Sequence, residues 1–284
     1  MQIGVCSWSL QVQSVAELGR ILDRLGISVV HIACGDPHHA SWEEGDRLPD
    51  AARAARFQMT AAMIGFPGED YTTPQTIQAT GGFGPSELRA ERLDRLRWAL
   101  ERTRQLGLTV LTGHAGYIPD PRSPERRGFL DTLARAGDLA SQAGVTFALE
   151  TGQEAATLLK LTLDELACPH LGVNFDPANM LLYDMGDPVA AVELLAPYIR
   201  RVHAKDARRP TRPGAWGAEE PLGQGQVDLP AFVRALATIG YDGPLCIERE
   251  VGDQAQRIAD VAHGVGVLRD CLAQLSGRPA ERTS

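Results

Sequence analysis

Short runs of β-branched and other apolar residues alternate along this chain with longer stretches whose apolar positions recur every three or four residues. That alternation is the pattern of a parallel sheet built from βα units. Eight runs carry the strand pattern: residues 3–7, 29–33, 59–64, 109–114, 146–150, 172–176, 199–204 and 245–249. A helical stretch follows each. In the first, residues 15–25, Leu18, Ile21, Leu22 and Leu25 stand at i, i+3, i+4 and i+7, a single stripe suited to packing on a sheet. Gly26 then offers a left-handed stop. ALERTRQLG, LARAGDLASQAG and FVRALATIG repeat the pattern, each closing on a glycine before the next strand.

Eight βα units suit either an open doubly wound sheet or a closed barrel. The glycine-rich phosphate turn of the open fold should follow the first strand, and CSWSLQ stands there instead. The expectation is therefore an α/β protein, a single (β/α)₈ TIM barrel over residues 1–276 with a disordered tail over 277–284. Three segments, 35–49, 65–85 and 206–227, are too long and irregular for plain connectors. All three follow strands, so closure would gather them at the C-terminal face, where this fold keeps its active sites. The third carries Gly214, Gly217, Gly223 and Gly225 as candidate hinges and is predicted to act as a mobile cover.

Composition narrows the function classes. A chain of 284 residues with 44% hydrophobic content can fill one barrel core. With 28 basic and 36 acidic residues its formal charge is −8, which repels a phosphate backbone and argues against nucleic acid as a partner. The first residues, MQIGVCSWSL, lack a basic stretch followed by a long apolar run, and no run approaches the roughly 20 apolar residues that span a bilayer. A soluble cytoplasmic protein without a membrane partner is expected. The cysteines, Cys6, Cys34, Cys168, Cys246 and Cys271, are odd in number and form no CxxC pair. They read as reduced thiols, neither a disulfide framework nor a thiolate zinc site.

Polar residues at strand ends carry the chemistry. Four late strands finish at Glu150, Asp176, His203 and Glu248, corresponding places in successive units. In a parallel barrel these ends face one mouth, so the four side chains converge without being close in sequence. Each carboxylate alone could cap the following helix or pair with an arginine. Four together are costly to aim into a barrel mouth unless paired or ligating. Mixed carboxylate and imidazole donors suit Mn²⁺, Mg²⁺, Co²⁺ or Zn²⁺ better than a soft metal. His114 ends the strand before Glu150 and also faces the mouth, as a structural or a substrate-binding histidine.

ALETG, NFDPANM, VHAKD, PLGQGQVD and GYDGPLCIERE, in that order and spacing, resemble the xylose-isomerase-like TIM-barrel superfamily of sugar isomerases and epimerases, which includes D-tagatose 3-epimerase and inosose isomerase. The resemblance covers nearly the whole chain. It implies one divalent ion, Mn²⁺ first among the candidates, held by Glu150, Asp176, His203 and Glu248, with Glu150 and Glu248 doubling as acid and base. It also implies a small sugar substrate and assembly as a homodimer or homotetramer. Epimerases of this group usually carry a histidine three residues after the aspartate, where this chain has Asn179, an amide in place of that substrate contact. Arg209 falls at the spacing of a substrate-binding arginine, with Arg208 as its rival, and Lys205 belongs to a recurring HxKD segment. Trp8, Trp42, Trp216, His38 and His39 lie in rim segments of the kind that wall sugar pockets.

The function expected is a metal-dependent sugar isomerase or epimerase that moves a proton through an enediolate. A lyase or dehydratase on a keto-sugar would share the first proton abstraction. The apurinic endonuclease of the same superfamily needs a metal cluster rich in histidines, which seven histidines and a charge of −8 do not favour. A binding module without catalysis is the remaining alternative.

Overall fold

The computed structural model describes residues 1–35, 47–275 and 277; the rim residues His38, His39 and Trp42 and the tail beyond 277 lie outside these. Strands β1 (Ile3–Cys6), β2 (Val29–Gly35), β3 (Gln58–Ile64), β4 (Val110–Gly113), β5 (Thr146–Glu150), β6 (Leu171–Phe175) and β7 (Ile199–Ala204) are joined by β10 (Leu245–Ile247). Every neighbouring pair is parallel, and β1 closes on both β2 and β10, so the sheet is a barrel. A short antiparallel hairpin, β8 (Asp206–Arg208) with β9 (Ala218–Glu220), stands outside it. The helices are α1 (Val15–Leu25), α2 (Arg47–Ala54), α3 (Pro74–Thr80), α4 (Arg89–Gln105), α5 (Arg126–Ala143), α6 (Ala156–Leu166), α7 (Pro177–Leu182), α8 (Pro188–Leu195), α9 (Leu229–Thr238) and α10 (Gln254–Leu275).

The barrel expectation holds, and its local causes are visible. In α1 the stripe Leu18, Ile21, Leu22 and Leu25 is the buried face. Ser14 caps its first turn by accepting from the Glu17 amide, and Gly26 ends it in the left-handed region. Helix α5 stops on Gly144 in the same conformation. No described helix is long and apolar enough to cross a membrane. The five cysteines are free thiols.

Segment 206–227, read in the sequence as a mobile cover, is anchored at both ends and lines the cleft through Trp216, Gly217 and Glu219. The buried Asp206 carboxylate accepts from the backbone amides of Ala207, Gly223, Gly225 and Val227 at 2.9–3.0 Å, tying both ends of the segment to one side chain. Gly225 has the job of close approach, not of a hinge: a Cβ there would stand 2.1 Å from Asp206 Oδ1. The hairpin between those ends carries Trp216, whose ring packs against Tyr183 with centroids 4.7 Å apart.

Candidate metal centre

At the C-terminal mouth the four strand-end residues meet. Glu150 is the last residue of β5, Asp176 the first after β6, His203 the fifth of β7 and Glu248 the first after β10. All four are buried, and one ligand atom from each lies within 4.8 Å of the others. His203 Nδ1 is 3.3 Å from Glu150 Oε1, 3.5 Å from Glu248 Oε2 and 3.8 Å from Asp176 Oδ2. Two donors each about 2.1 Å from one ion stand roughly 3.0–3.4 Å apart, so the spacing fits a single small cation.

Asp176 supplies a sharper test of fit. Its Oδ1 caps α7 by accepting from Ala178 and Asn179 amides at 2.8 and 3.0 Å, while its Oδ2 is buried with no hydrogen-bond partner. The cap and ligand readings of this residue are therefore compatible: one oxygen serves each. A bare buried carboxylate oxygen is expensive unless a cation or a proton meets it. Burial pushes the Asp176 carboxyl up to about 7. For His203 burial acts the other way, but Glu248, Glu150 and Asp176 override it and hold the imidazole well above its usual range.

The two glutamates have different partners. Glu150 accepts from Asn179 Nδ2 at 3.0 Å and Asn174 Nδ2 at 3.2 Å. Glu248 accepts from Trp8 Nε1 at 2.6 Å and Lys205 Nζ at 2.8 Å. Burial alone would raise both carboxyls. For Glu150 the neighbouring His203 and His114 reverse that and lower it, whereas Lys205 and His203 hold Glu248 well below the usual carboxylate range. Both are bases at neutral pH, unequal in strength. Lys205 also bonds Glu250 at 2.5 Å, and these carboxylates keep its ammonium charged against the pull of burial.

The remaining candidates separate. His114, Asn179, Lys205 and Trp8 line a cleft of about 1290 Å³ above the cluster, together with Tyr71, Tyr183 and Trp216. Arg209 does not: it pairs with Asp184 at 2.6 Å and with the Gly186 carbonyl, and Arg208 pairs with Glu220 at 2.9 Å. Two residues that the sequence reading passed over, His31 and Asn174, complete the site together with Cys6, read there as a reduced thiol. His31 on β2 stands 3.0 Å from His203, Asn174 on β6 touches both Glu150 and His203, and Cys6 on β1 is paired with His31 across the strands. Glu154, four residues beyond Glu150, is buried, and burial pushes its carboxyl up to about 8.

A closed parallel barrel with three carboxylates and one imidazole converging on its mouth defines a class, and comparison with known proteins places the chain in it. The chain belongs to the xylose isomerase-like TIM barrel family, whose pattern matches residues 7–271. Among curated relatives, L-ribulose-5-phosphate 3-epimerase UlaE of Escherichia coli (strain K12 / DH10B) is 32% identical over 170 residues, 57% of this chain and 57% of that protein. The matched region thus spans little more than half the length of the curated relatives. The xylose isomerase domain protein from Planctomyces limnophilus superposes with a TM-score of 0.84 at 33% identity, covering 91% of this chain and 93% of that one. The IolI protein, solved with a bound zinc atom, shares the fold at a TM-score of 0.72 and 14% identity, over 96% and 99% of the two chains.

Proposed function

We propose that this protein is a divalent-metal-dependent sugar epimerase or isomerase acting on a ketose or keto-sugar by proton transfer. The observation that carries the reading is Asp176 Oδ2, buried and unpartnered among three other convergent ligand atoms. Glu150, Asp176, His203 and Glu248 would hold the ion, Mn²⁺ in our reading, which on binding supplies Lewis-acid polarisation of a ketone carbonyl and its neighbouring hydroxyl. Glu150, with its two amide donors, is the stronger base and takes the proton from the carbon beside the carbonyl. Glu248, on the opposite side of the enediolate, would pass to it a proton from the Lys205 ammonium bonded at 2.8 Å, Lys205 regaining one from solvent while Glu150 releases the abstracted proton to solvent. Return to the same carbon inverts it, and return to the adjacent carbon exchanges aldose for ketose.

Charge bears on the substrate. Glu17, Glu69, Asp70, Glu150, Glu219, Glu248 and Glu250 line the cleft against two cations, Lys205 and Arg257, among the described residues. Lys205 is held by Glu248 and Glu250, and Arg257 by the carbonyls of Gly252, Trp8 and Glu250. Neither is available to a phosphate, and residues 36–46 contain no lysine or arginine. Even with the ion's two positive charges set against Glu150, Asp176 and Glu248, and with His114 protonated, carboxylates outnumber cations around the cleft, a field that disfavours a phosphate dianion and fits an uncharged sugar. The test is incubation with Mn²⁺ and a panel of free and phosphorylated ketoses in heavy water, read by NMR. Deuterium on the carbon beside the carbonyl is expected. Turnover with no solvent hydrogen in the product would overturn the proton-transfer reading.

A further inference from the structure

Inside the barrel, below the carboxylates, a second line of polar contacts runs away from the mouth. His203 Nε2 lies 3.0 Å from His31 Nδ1, and His31 Nε2 lies 3.2 Å from the carbonyl oxygen of Ala62 and 3.1 Å from Thr112 Oγ1. His31 is 1% exposed and His203 fully buried, so bulk water does not reach these nitrogens. The chain of contacts ends on a group with fixed polarity. A backbone carbonyl can only accept, so His31 Nε2 carries a hydrogen and donates it to Ala62.

From this geometry we infer that His31 is a positioning residue which, anchored by the Ala62 carbonyl, fixes His203 with Nδ1 aimed at the three carboxylates, as the nitrogen that gives up its proton to ligate. The steps follow from valence. A neutral His31 that donates from Nε2 has a bare Nδ1, which can only accept. The group facing it, His203 Nε2, must then be the donor, and Nδ1 becomes the nitrogen left to ligate. That is the atom standing 3.3 Å from Glu150, 3.5 Å from Glu248 and 3.8 Å from Asp176. A metal-ligating histidine needs such a partner on its other nitrogen to set tautomer and ring angle.

The other groups around the pair do not reverse this polarity. Asn174 Nδ2 lies 3.3 and 3.2 Å from the two nitrogens of His203, nearly equidistant, and so selects neither. The Cys6 thiol, beside both rings, is a weak donor and a weak acceptor. The Trp8 ring meets His31 and His203 edge to face, with centroids 5.2 and 5.7 Å away, and its indole hydrogen goes to Glu248. Thr112 can accept a share of the His31 hydrogen while its own hydroxyl turns elsewhere.

This inference rests on the metal reading of the site, but its first test does not. Histidine ¹⁵N NMR of the wild-type protein should show His31 as the Nε2–H tautomer with and without Zn²⁺; a hydrogen on His31 Nδ1 would overturn the assignment whether or not metal binds. The second test measures Mn²⁺ affinity by calorimetry. His31→Leu removes the acceptor and should weaken binding about 10- to 100-fold. His31→Asn places an amide oxygen where Nδ1 stood and should restore most of that loss. Equal affinity in wild type and His31→Leu, or an Asn variant as weak as the Leu variant, would reduce His31 to filler. Should His31→Leu fail to fold, the tautomer and the Asn variant still decide. Absence of Mn²⁺ binding by wild type would sink the metal reading, and the ligand-positioning role with it, but not the tautomer assignment.

Discussion

The mouth of the barrel has two halves built from the same side chain in different surroundings. On the β5–β6 half, Glu150 is held by the neutral amides of Asn174 and Asn179; on the β7–β10 half, Glu248 is held by the ammonium of Lys205 and the indole of Trp8. An ammonium at 2.8 Å stabilises a carboxylate in a buried site far more than an amide does, since it adds a full charge where screening is weak. The two glutamates of the proposed metal site are thereby made unequal bases. A reaction that takes a proton on one face and gives one on the other has a use for such a pair, because the stronger base suits abstraction and the weaker suits return.

The most damaging way to probe this asymmetry is to delete the bases singly. Glu150→Gln and Glu248→Gln should each lower turnover about 10²- to 10⁴-fold, while metal content, measured by elemental analysis, should fall far less than in His203→Ala. Each variant should retain solvent exchange from only one of the two epimers, the one whose proton faces the surviving carboxylate. Identical exchange from both epimers in both variants would erase the division of labour between the halves.

Lys205→Met offers a gentler intervention, aimed at the difference itself. Without the ammonium the Glu248 carboxyl rises, so the acid limb of the pH–rate profile should move to higher pH, and turnover near neutrality should drop about tenfold. Loss of one partner from a buried ion pair also destabilises by about 3–5 kcal/mol, visible in chemical denaturation. A variant with an unmoved acid limb would show that Lys205 does not set the basicity of Glu248.

Metal-free protein should reveal the charge held between the halves as a slope of stability against pH. Burial raises Asp176 to about 7 and Glu154 to about 8, and for His203 the surrounding carboxylates outweigh burial and raise it. Groups raised on folding hold more protons in the native state between their unfolded and folded values, so stability falls as pH climbs from about 5 to 8. Glu150 and Glu248 are lowered, contribute above about 4.5, and lose that contribution only at more acidic pH. Calorimetry in chelator should therefore show Tm declining across that window, and added Mn²⁺ should flatten the decline. A rising Tm in chelator would contradict the burial of these charges.

Legibility in the sequence follows the same physical divide. The barrel and Glu150, Asp176, His203 and Glu248 could be read because strand ends recur with the βα period, and a charge at each of several corresponding ends is conspicuous. Asn174 and His31 were passed over because they sit within apolar runs, LGVNF and VVHIACG, where period and propensity speak only of core. A polar side chain at an inward-facing strand position was nevertheless a signal, since the barrel interior tolerates it only with a partner. The anchoring role of Asp206 was harder to see, because its amide partners include Gly223, Gly225 and Val227, 17 to 21 residues on, and depend on the course of the loop.

Arg209 shows where spacing stops informing and sets the smallest expected effect. It follows His203 at the interval of a substrate-binding arginine, but an interval fixes position only along regular structure. Here the chain leaves β7, enters the β8–β9 hairpin and carries the guanidinium outward to Asp184 and the Gly186 carbonyl. The Arg209–Asp184 pair is substantially exposed, 36% and 61%, and exposed pairs contribute about 0–1 kcal/mol. Arg209→Ala should leave kcat/KM within about twofold of wild type on an uncharged ketose and cost under ~1 kcal/mol of stability. Lys205→Met should do far more, although both changes remove one cation from the same segment. A tenfold rise in KM for Arg209→Ala, with kcat unchanged, would mean that the guanidinium swings into the cleft when substrate binds. The uncharged-substrate reading would then have to admit one free cation at the rim.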